Sequence, residues 1–354
     1  MITSIEQAAE FFYAPVRWGL SPDAEAADTH TLAWVQETGL VRSNENAQVF
    51  ATWHIGSSVA AGYPRARGEA LNLLSDWAAW ALTLDDIFNR YTGDVAFVAT
   101  ILDDCLRVLH SDPAGSVPHP LRGANRALWD LLSRAAAVMS DEWMFRFRSS
   151  VGRYFQGLLG KHRLARIPRQ VDPVTALAVR TDDIGMHMSA DLIEYFEGFE
   201  LPMVVTTLYG FSRIRTLLSE LVVLQNDVFS LQRDRLAGDS DSAFNVVTAL
   251  AHHHNQGTEH ALLETRALYR TRLTALESAS GQFLDECHTI GLDSNSCGKA
   301  ELYTVNLRDL VTGTFHAHLQ VAARGYLDHP PTVPTVSELL PDYQGCELRP
   351  VRTP

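Results

Sequence analysis

Three oxygen-bearing side chains at helical spacing stand out in the sequence: Asn226, Ser230 and Asp234. Successive residues of an α-helix are separated by about 100°, so this spacing places all three within about 80° of one another on one face. An amide oxygen, a hydroxyl and a carboxylate are the hard ligands that Mg²⁺ prefers, and that ion usually keeps positions for water and phosphate. The pattern favours a magnesium-binding face; a buried helix that tolerates a few polar residues is the alternative.

The opposite side of the same helix carries an apolar repeat. Its members recur at the helical period and point almost the other way: Leu217, Leu221, Leu224, Val228 and Leu231. On the oxygen-bearing side, Asn226 is preceded by Ser219, Val222 and Val223. We therefore expect a helix that is apolar on its outer side and whose oxygens look into a largely apolar interior.

A second group of candidate ligands, Asp85, Asp86 and Asn89, follows the almost entirely apolar stretch from Trp77 to Leu84. Two adjacent carboxylates at the end of an apolar helix repel each other unless a cation is present. This group is a candidate metal site, and a solvated helix end is the alternative.

Arg180 is the third candidate, 46 positions before Asn226 in a helical pattern that Gly185 interrupts. An arginine on an apolar helix is most often a surface residue whose stem covers apolar neighbours. The local pattern by itself leaves its role open.

The composition excludes several function classes. A net charge of −13 without any basic run argues against nucleic-acid binding. Such a protein would also repel a polyanionic substrate unless metal ions or local arginines compensate. Four scattered cysteines predict free thiols, and three consecutive histidines, His252 to His254, face in different directions and do not predict one metal site. Without a signal sequence or a run of 18 apolar residues, we expect a soluble, cytoplasmic protein that avoids membranes.

The chain reads as one all-α domain spanning residues 1–354, with poorly ordered ends at about 1–18 and 329–354. Alternating strand patterns are absent, and no linker or repeat divides the chain. Around ten helices are predicted, at about 24–40, 65–90, 94–110, 120–138, 141–163, 173–198, 211–236, 241–254, 258–289 and 299–325.

Taken together, these residues resemble the class I terpene synthases of the bacterial single-domain type. That family carries Asp-Asp-x-x-(Asp/Glu) and, downstream, Asn-Asp-x-x-Ser-x-x-x-(Asp/Glu). Here Asp85-Asp86-Ile-Phe-Asn89 and Asn226-Asp-Val-Phe-Ser230-Leu-Gln-Arg-Asp234 stand in that order, 141 positions apart. Arg180, Asp183 and Ile184 match the family's diphosphate-sensing arginine, linker aspartate and effector residue. The resemblance covers roughly residues 20–326 and implies a helical bundle around a central apolar active-site cavity.

The resemblance also implies roles for individual residues. Three Mg²⁺ ions, for which Mn²⁺ can substitute, would be held by Asp85, Asp86, Asn89, Asn226, Ser230 and Asp234. Diphosphate would be bound by Arg180, Arg233, Arg324 and Tyr326. Pocket candidates near these motifs are Trp77, Ala81, Phe88, Val222, Phe229 and Phe315. Two features depart from the family: Asn89 replaces an acidic ligand, and Gly325 is inserted in the C-terminal Arg-Tyr pair. The aromatic residue that precedes this pair is replaced by a run containing Phe315, His316 and His318.

These residues predict a lyase that ionises an isoprenyl diphosphate and cyclises the carbocation to a sesquiterpene hydrocarbon or alcohol. Farnesyl diphosphate is the expected substrate, and geranylgeranyl diphosphate is an alternative that pocket depth would decide. A chain-elongating prenyltransferase is disfavoured because its second motif would be aspartate-rich, and a catalytically silent helical homologue is the remaining alternative. A homodimer is compatible with the resemblance.

Overall fold

The computed structural model describes residues 5–15, 17–90, 95–112, 123–166, 170–237 and 243–320. These residues are mostly helical, and no strand occurs among them, so the all-α prediction is confirmed. The helices are α1 Ile5–Phe12, α2 Ala24–Glu37, α3 Asn44–Ala51, α4 Ile55–Gly62, α5 Gly68–Arg90, α6 Val95–Leu109, α7 Ala124–Ala136, α8 Asp141–Leu164, α9 Pro173–Asp183, α10 Met186–Glu197, α11 Met203–Thr206, α12 Tyr209–Phe229, α13 Leu231–Ala237, α14 Val246–His253, α15 Thr258–Thr289 and α16 Ser294–Gln320.

Side-chain caps explain where several of these helices begin. Ser140 Oγ accepts from Trp143 N at 3.2 Å at the start of α8. At α9, Asp172 Oδ1 accepts from Val174 N and Thr175 N at 3.1 and 2.9 Å, ahead of a proline in the first turn. Such caps satisfy backbone N–H groups that have no partner within the helix.

The central helix of the bundle is α12, which packs against α9, α10, α15 and α16. Leu217, Leu221 and Leu224 are completely buried, and so is Val223 on the other side. The expectation of an outer apolar side is therefore wrong. Other helices cover both sides of α12, and the apolar repeat packs inside the protein.

Two predicted helices are each divided in the structure. The pattern at 173–198 is interrupted by Gly185, whose φ of +75° is in the left-handed region, where a side chain would be strained. The pattern at 211–236 is divided at Ser230. Helical bonding nevertheless continues across this second break, because Ser230 N donates to Asn226 O at 2.8 Å and Asp234 N to Ser230 O at 2.9 Å. The three candidate ligands thus keep their common face.

The N-terminal part of the chain differs from the expectation. The segment 1–18, expected to be poorly ordered, contains α1, in which Ala8 and Phe12 are 0% and 1% exposed. Phe12 packs on Phe229 and Phe315 with ring centroids 5.5 and 5.9 Å apart. The other expected poorly ordered end, 329–354, lies outside the described residues.

A buried ion-pair network joins α8, α10 and α12 about 16 Å along α12 from Asn226. Arg215 donates to Asp191, to Ser150 Oγ at 3.1 Å and to the carbonyl of His187 at 2.9 Å. Burial, followed by the positive charge of Arg215, lowers the pKa of His187 to about 3, so its ring is neutral at physiological pH. The network fixes the helix that carries the candidate ligands against its neighbours.

In the described ranges, every helix is too short or too polar to cross a membrane.

Candidate active site

A close approach of α8 to the end of α9 defines one wall of the candidate site. A Cβ atom added to Gly157 would lie 2.4 Å from the backbone nitrogen of Asp183, well inside van der Waals contact. Only a residue without a side chain permits this approach. One turn further along α8, Lys161 is thereby placed beside Asp183, with its Nζ 3.0 Å from Oδ2.

Arg180 lies at the centre of the site and is 6% exposed. Its guanidinium donates to Asp183 Oδ2, to Asn226 Oδ1 at 2.8 Å and to Asp227 Oδ1 at 3.2 Å. The planar fork of arginine suits three acceptors in different directions. The structure thus brings together the arginine and the asparagine that the sequence separates by 46 positions.

Asp227 anchors the site to the next helix. Its Oδ2 accepts from Val246 N at 2.7 Å, at the start of α14, while its Oδ1 accepts from Arg180. Asn245, the cap of α14, donates from Nδ2 to Asp227 O at 2.7 Å and to Asp234 Oδ2 at 3.0 Å. The candidate ligands Asn226 and Asp234 are therefore connected with Arg180 through one polar network.

The last two residues of the candidate triad contact each other directly. Ser230 Oγ donates to Asp234 Oδ2 at 2.6 Å, and Arg233 donates to Asp234 Oδ1 at 2.9 Å. Ser230 and Asp234 are 0% and 3% exposed. Arg233 is therefore held beside the carboxylate of Asp234 rather than extended away from it.

The aspartate pair lies at the C-terminal part of α5. Asp85 is 3.3 Å from Lys161 Nζ, and its side chain is 23% exposed. Asp86 is half-buried. The side chain of Asn89 lies outside the described residues, as do Arg324 and Tyr326.

A continuous chain of polar contacts now links the two candidate metal-binding groups. Lys161 contacts Asp85 and Asp183, and Asp183 also accepts from Arg180, which reaches Asn226. Among the described residues, histidine, cysteine and acidic side chains form no cluster of three or more with metal-site geometry. The candidate ligands instead mix carboxylate, amide and hydroxyl oxygens, the donor set of a hard cation.

The effector position falls at the break between α9 and α10. Ile184 is half-buried and forms the end of α9, where its N–H donates to Arg180 O at 2.9 Å. Gly185 follows in the left-handed conformation. The interruption that the sequence predicts at Gly185 therefore lies one turn from Arg180.

Most pocket candidates are buried, and several belong to aromatic clusters. Phe229 and Phe315 pack together with Phe12, and Trp77 contacts Trp80 and Phe147. Phe88 and Val222 are also buried, while Ala81 is half-buried and its carbonyl accepts from Tyr154 Oη at 2.7 Å. The candidates occupy two separate helical regions, α5 and the α12–α16 pair.

Four residues that contact the candidate site were not among the predicted site residues: Lys161, Asp227, Asn245 and His318. Lys161 is one of only two lysines in the chain and is 1% exposed. The scarcity of lysine was the one available signal for Lys161, but nothing in the local sequence pattern indicates that this side chain is buried. The partners of these residues are mostly far away in sequence, so helical spacing gives no clue to them.

Lys161→Gln should lower kcat/KM at least about tenfold, because an ammonium that contacts two carboxylates contributes roughly 1.5–3 kcal/mol per charged hydrogen bond. Steady-state kinetics with the isoprenyl diphosphate that the resemblance implies as substrate measure this effect. Lys299→Gln changes the second lysine of the chain, which lies outside the site, and should leave kcat/KM unchanged. Equal kcat/KM values for the two variants would show that the contacts of Lys161 with Asp85 and Asp183 do not contribute to activity.

A match to a protein-family profile identifies the family of this chain. The family profile described as terpene synthase family 2, C-terminal metal binding, matches residues 76–275. This range is more than half of the chain and contains both candidate metal-binding groups and Arg180. The chain belongs to the terpene synthase family.

Similar terpene synthases come from Saccharothrix and Streptomyces species. A (−)-β-caryophyllene synthase of Saccharothrix espanaensis, named as cyclising (2E,6E)-farnesyl diphosphate, is 28% identical over 306 residues, which cover 86% of this chain and 85% of that protein. Isoafricanol synthase of Streptomyces malaysiensis is 27% identical over 332 residues, covering 90% and 83%.

Solved terpene synthase structures share the fold. α-Eudesmol synthase matches with a TM-score of 0.77 and 22% identity, covering 86% of this chain and 97% of that chain. Wild-type cucumene synthase matches with a TM-score of 0.73 and 25% identity, covering 86% and 99%. The predicted family, helical fold and enzyme class, a lyase acting on isoprenyl diphosphates, are confirmed. The family profile also indicates use of a divalent metal.

Proposed function

We propose that this terpene synthase is Mg²⁺-dependent and cyclises farnesyl diphosphate to a sesquiterpene hydrocarbon or alcohol, releasing diphosphate. The observation that carries the proposal is the contact of Arg180 with Asn226 and Asp227. This contact places the buried positive charge of the guanidinium beside the oxygen-bearing face. The similarity to a synthase named for farnesyl diphosphate supports the choice of substrate.

The oxygen donors fit a hard divalent cation. Asp85, Asp86 and Asn89 would hold metal on α5, and Asn226, Ser230 and Asp234 would hold it across α12 and α13. When bound, Mg²⁺ supplies electrostatic stabilisation of the negative charge that develops on the leaving diphosphate. We propose three such ions, with Mn²⁺ as a substitute.

The chain itself supplies the remaining positive charge. Arg180, Lys161 and Arg233 lie on or beside the metal-binding face, and we assign Arg324 and Tyr326 to the same anion. This local charge explains how a protein of net charge −13 can bind an anionic substrate. Arg180 binds diphosphate through its fork, Asp183 holds that fork in place, and Ile184 at the helix break assists ionisation.

The apolar part of the substrate would lie among Trp77, Ala81, Phe88, Val222, Phe229 and Phe315. An aromatic face stabilises a nearby cation by roughly 0.5–2 kcal/mol. Buried apolar walls also exclude water, which would otherwise quench the carbocation early.

Incubation with geranyl, farnesyl or geranylgeranyl diphosphate and Mg²⁺, followed by gas chromatography–mass spectrometry, tests the proposal. We expect a cyclic C15 product from farnesyl diphosphate. A cyclic C20 product from geranylgeranyl diphosphate alone would correct the chain length. Linear elongated products in a parallel incubation that also contains isopentenyl diphosphate would indicate a prenyltransferase, and an absence of turnover in both incubations would indicate a silent homologue.

Removal of divalent metal should abolish turnover. Excess EDTA is expected to reduce product formation to background, because the diphosphate charge would lose its main stabilisation. Addition of Mg²⁺ beyond the chelator should restore it, and Mn²⁺ should restore it in part. Turnover that persists in EDTA would contradict the metal assignment.

A further inference from the structure

His318 lies on α16 beside the candidate metal ligand Asn226, and its ring is held from two sides. Its Nδ1 is 2.6 Å from the carbonyl oxygen of Thr314, one turn earlier on α16. Its ring lies parallel to Phe229, with an interplanar angle of 1° and centroids 5.2 Å apart. His318 is 7% exposed. The ring therefore has little freedom to rotate.

The contact with Thr314 determines which ring nitrogen carries the proton. A carbonyl oxygen only accepts, so Nδ1 must donate. In the neutral ring Nε2 then offers a lone pair, and it is 3.2 Å from Asn226 Nδ2. Asn226 Nδ2 donates to this nitrogen.

The same geometry determines the orientation of the Asn226 amide. With Nδ2 toward His318, Oδ1 faces Arg180 Nη2 at 2.8 Å. In the reverse orientation, the amide NH₂ would face the guanidinium and the amide oxygen would face the lone pair of Nε2. Two donors would then meet on one side and two acceptors on the other. Both neighbours therefore select the orientation in which the amide oxygen faces Arg180.

We propose that His318 is a positioning residue that keeps the Asn226 oxygen directed toward a bound divalent cation. The inference rests on the proposed metal-binding role of Asn226. Arg180 and a divalent cation both require this oxygen, so contact with Arg180 alone cannot hold the amide once the cation binds. His318 holds the other end of the amide in either case. Groups that orient metal ligands in this way typically change metal affinity by about 10- to 100-fold when they are replaced.

Three substitutions separate this role from simple packing. His318→Gln places an acceptor near the position of Nε2, whereas His318→Asn reaches only the position of Nδ1. His318→Phe keeps a flat ring against Phe229 but has no acceptor. The matched control is His316→Gln on the same helix, because His316 Nε2 contacts Pro15 O at 3.0 Å instead of Asn226.

Binding of Mn²⁺ in the presence of inorganic diphosphate, followed by electron paramagnetic resonance, measures metal affinity without turnover. We expect His318→Asn and His318→Phe to raise the apparent Kd about tenfold or more, and His318→Gln to raise it less than about threefold. His316→Gln should match the wild type. In kinetics, the asparagine and phenylalanine variants should need more Mg²⁺ while keeping the wild-type KM for substrate at saturating Mg²⁺.

Equal weakening by glutamine and asparagine, or no weakening by either, would overturn the inference while leaving the proposed function intact. Thermal unfolding, followed by circular dichroism, shows whether a variant is destabilised. Lower thermal stability of both His318→Asn and His318→Phe without a change in the apparent Kd for Mn²⁺ would also overturn the inference. If the wild-type protein binds Mn²⁺ with diphosphate but converts no isoprenyl diphosphate, the proposed reaction fails and the His318 comparison still stands. If it binds no Mn²⁺, the metal site and the inference fail together.

Discussion

Replacement of Arg180 by alanine is expected to remove more than about 99% of turnover. The guanidinium contacts Asp183, Asn226 and Asp227 and lies where we place the diphosphate. Removal of a preorganised group that stabilises developing charge typically costs about 10²- to 10³-fold in kcat. Single-turnover kinetics with farnesyl diphosphate, at saturating enzyme and Mg²⁺, measure the chemical step directly.

The control must separate catalysis from stability, because loss of Arg180 leaves two buried carboxylates with fewer partners. Breaking a buried ion pair costs about 3–5 kcal/mol. Arg180→Lys keeps the positive charge but lacks the fork, so it should fold more stably than the alanine variant and still lose most activity. Arg153→Ala is the matched surface change, since Arg153 on α8 pairs with Asp182 on α9 and is 45% exposed. Wild-type rates in the folded lysine variant would refute the assigned role.

Gly157→Ala should impair both stability and turnover. The added methyl group would lie 2.4 Å from Asp183 N and 2.7 Å from Asp182 C, so α8 and the end of α9 must separate. Overpacking of this kind costs about 1–3 kcal/mol. Since Asp183 holds Arg180 and contacts Lys161, we also expect kcat/KM to fall about 10- to 100-fold, as displacements near 1 Å can do. Urea unfolding and steady-state kinetics measure the two effects.

Two other glycines on α8 provide the comparison. A Cβ at Gly152 or Gly160 would have no neighbour within 4 Å. Alanine at either position should therefore stabilise the helix by roughly 0.5–1 kcal/mol and leave activity unchanged. If all three alanine variants behave alike, the close approach of α8 to α9 does not govern the site.

Helix positions were largely predictable because they depend on local periodicity. The pattern at 258–289 has the same bounds as α15, and that at 141–163 ends one residue short of α8. Gly185 also marked a real break, because its left-handed φ favours glycine. The short helices α3, α4 and α11 were missed, since a helix of one or two turns has too few residues to show a period.

The burial of α12 was not predictable in the same way. Its apolar repeat was expected on the outer side of the helix, yet neighbouring helices cover both sides. A single helix pattern shows which side is apolar, but how many neighbours surround that helix depends on the packing of the whole chain.

The sequence alone determined the common face of Asn226, Ser230 and Asp234, because residues four apart on a helix must lie together. The resemblance to class I terpene synthases also marked Arg180, 46 positions before Asn226. Tertiary structure alone decided what surrounds them. Lys161 meets Asp85 across 76 positions, and His318 meets Asn226 across 92. Such contacts depend on how helices approach one another, at Gly157 for example, and no local spacing specifies that approach.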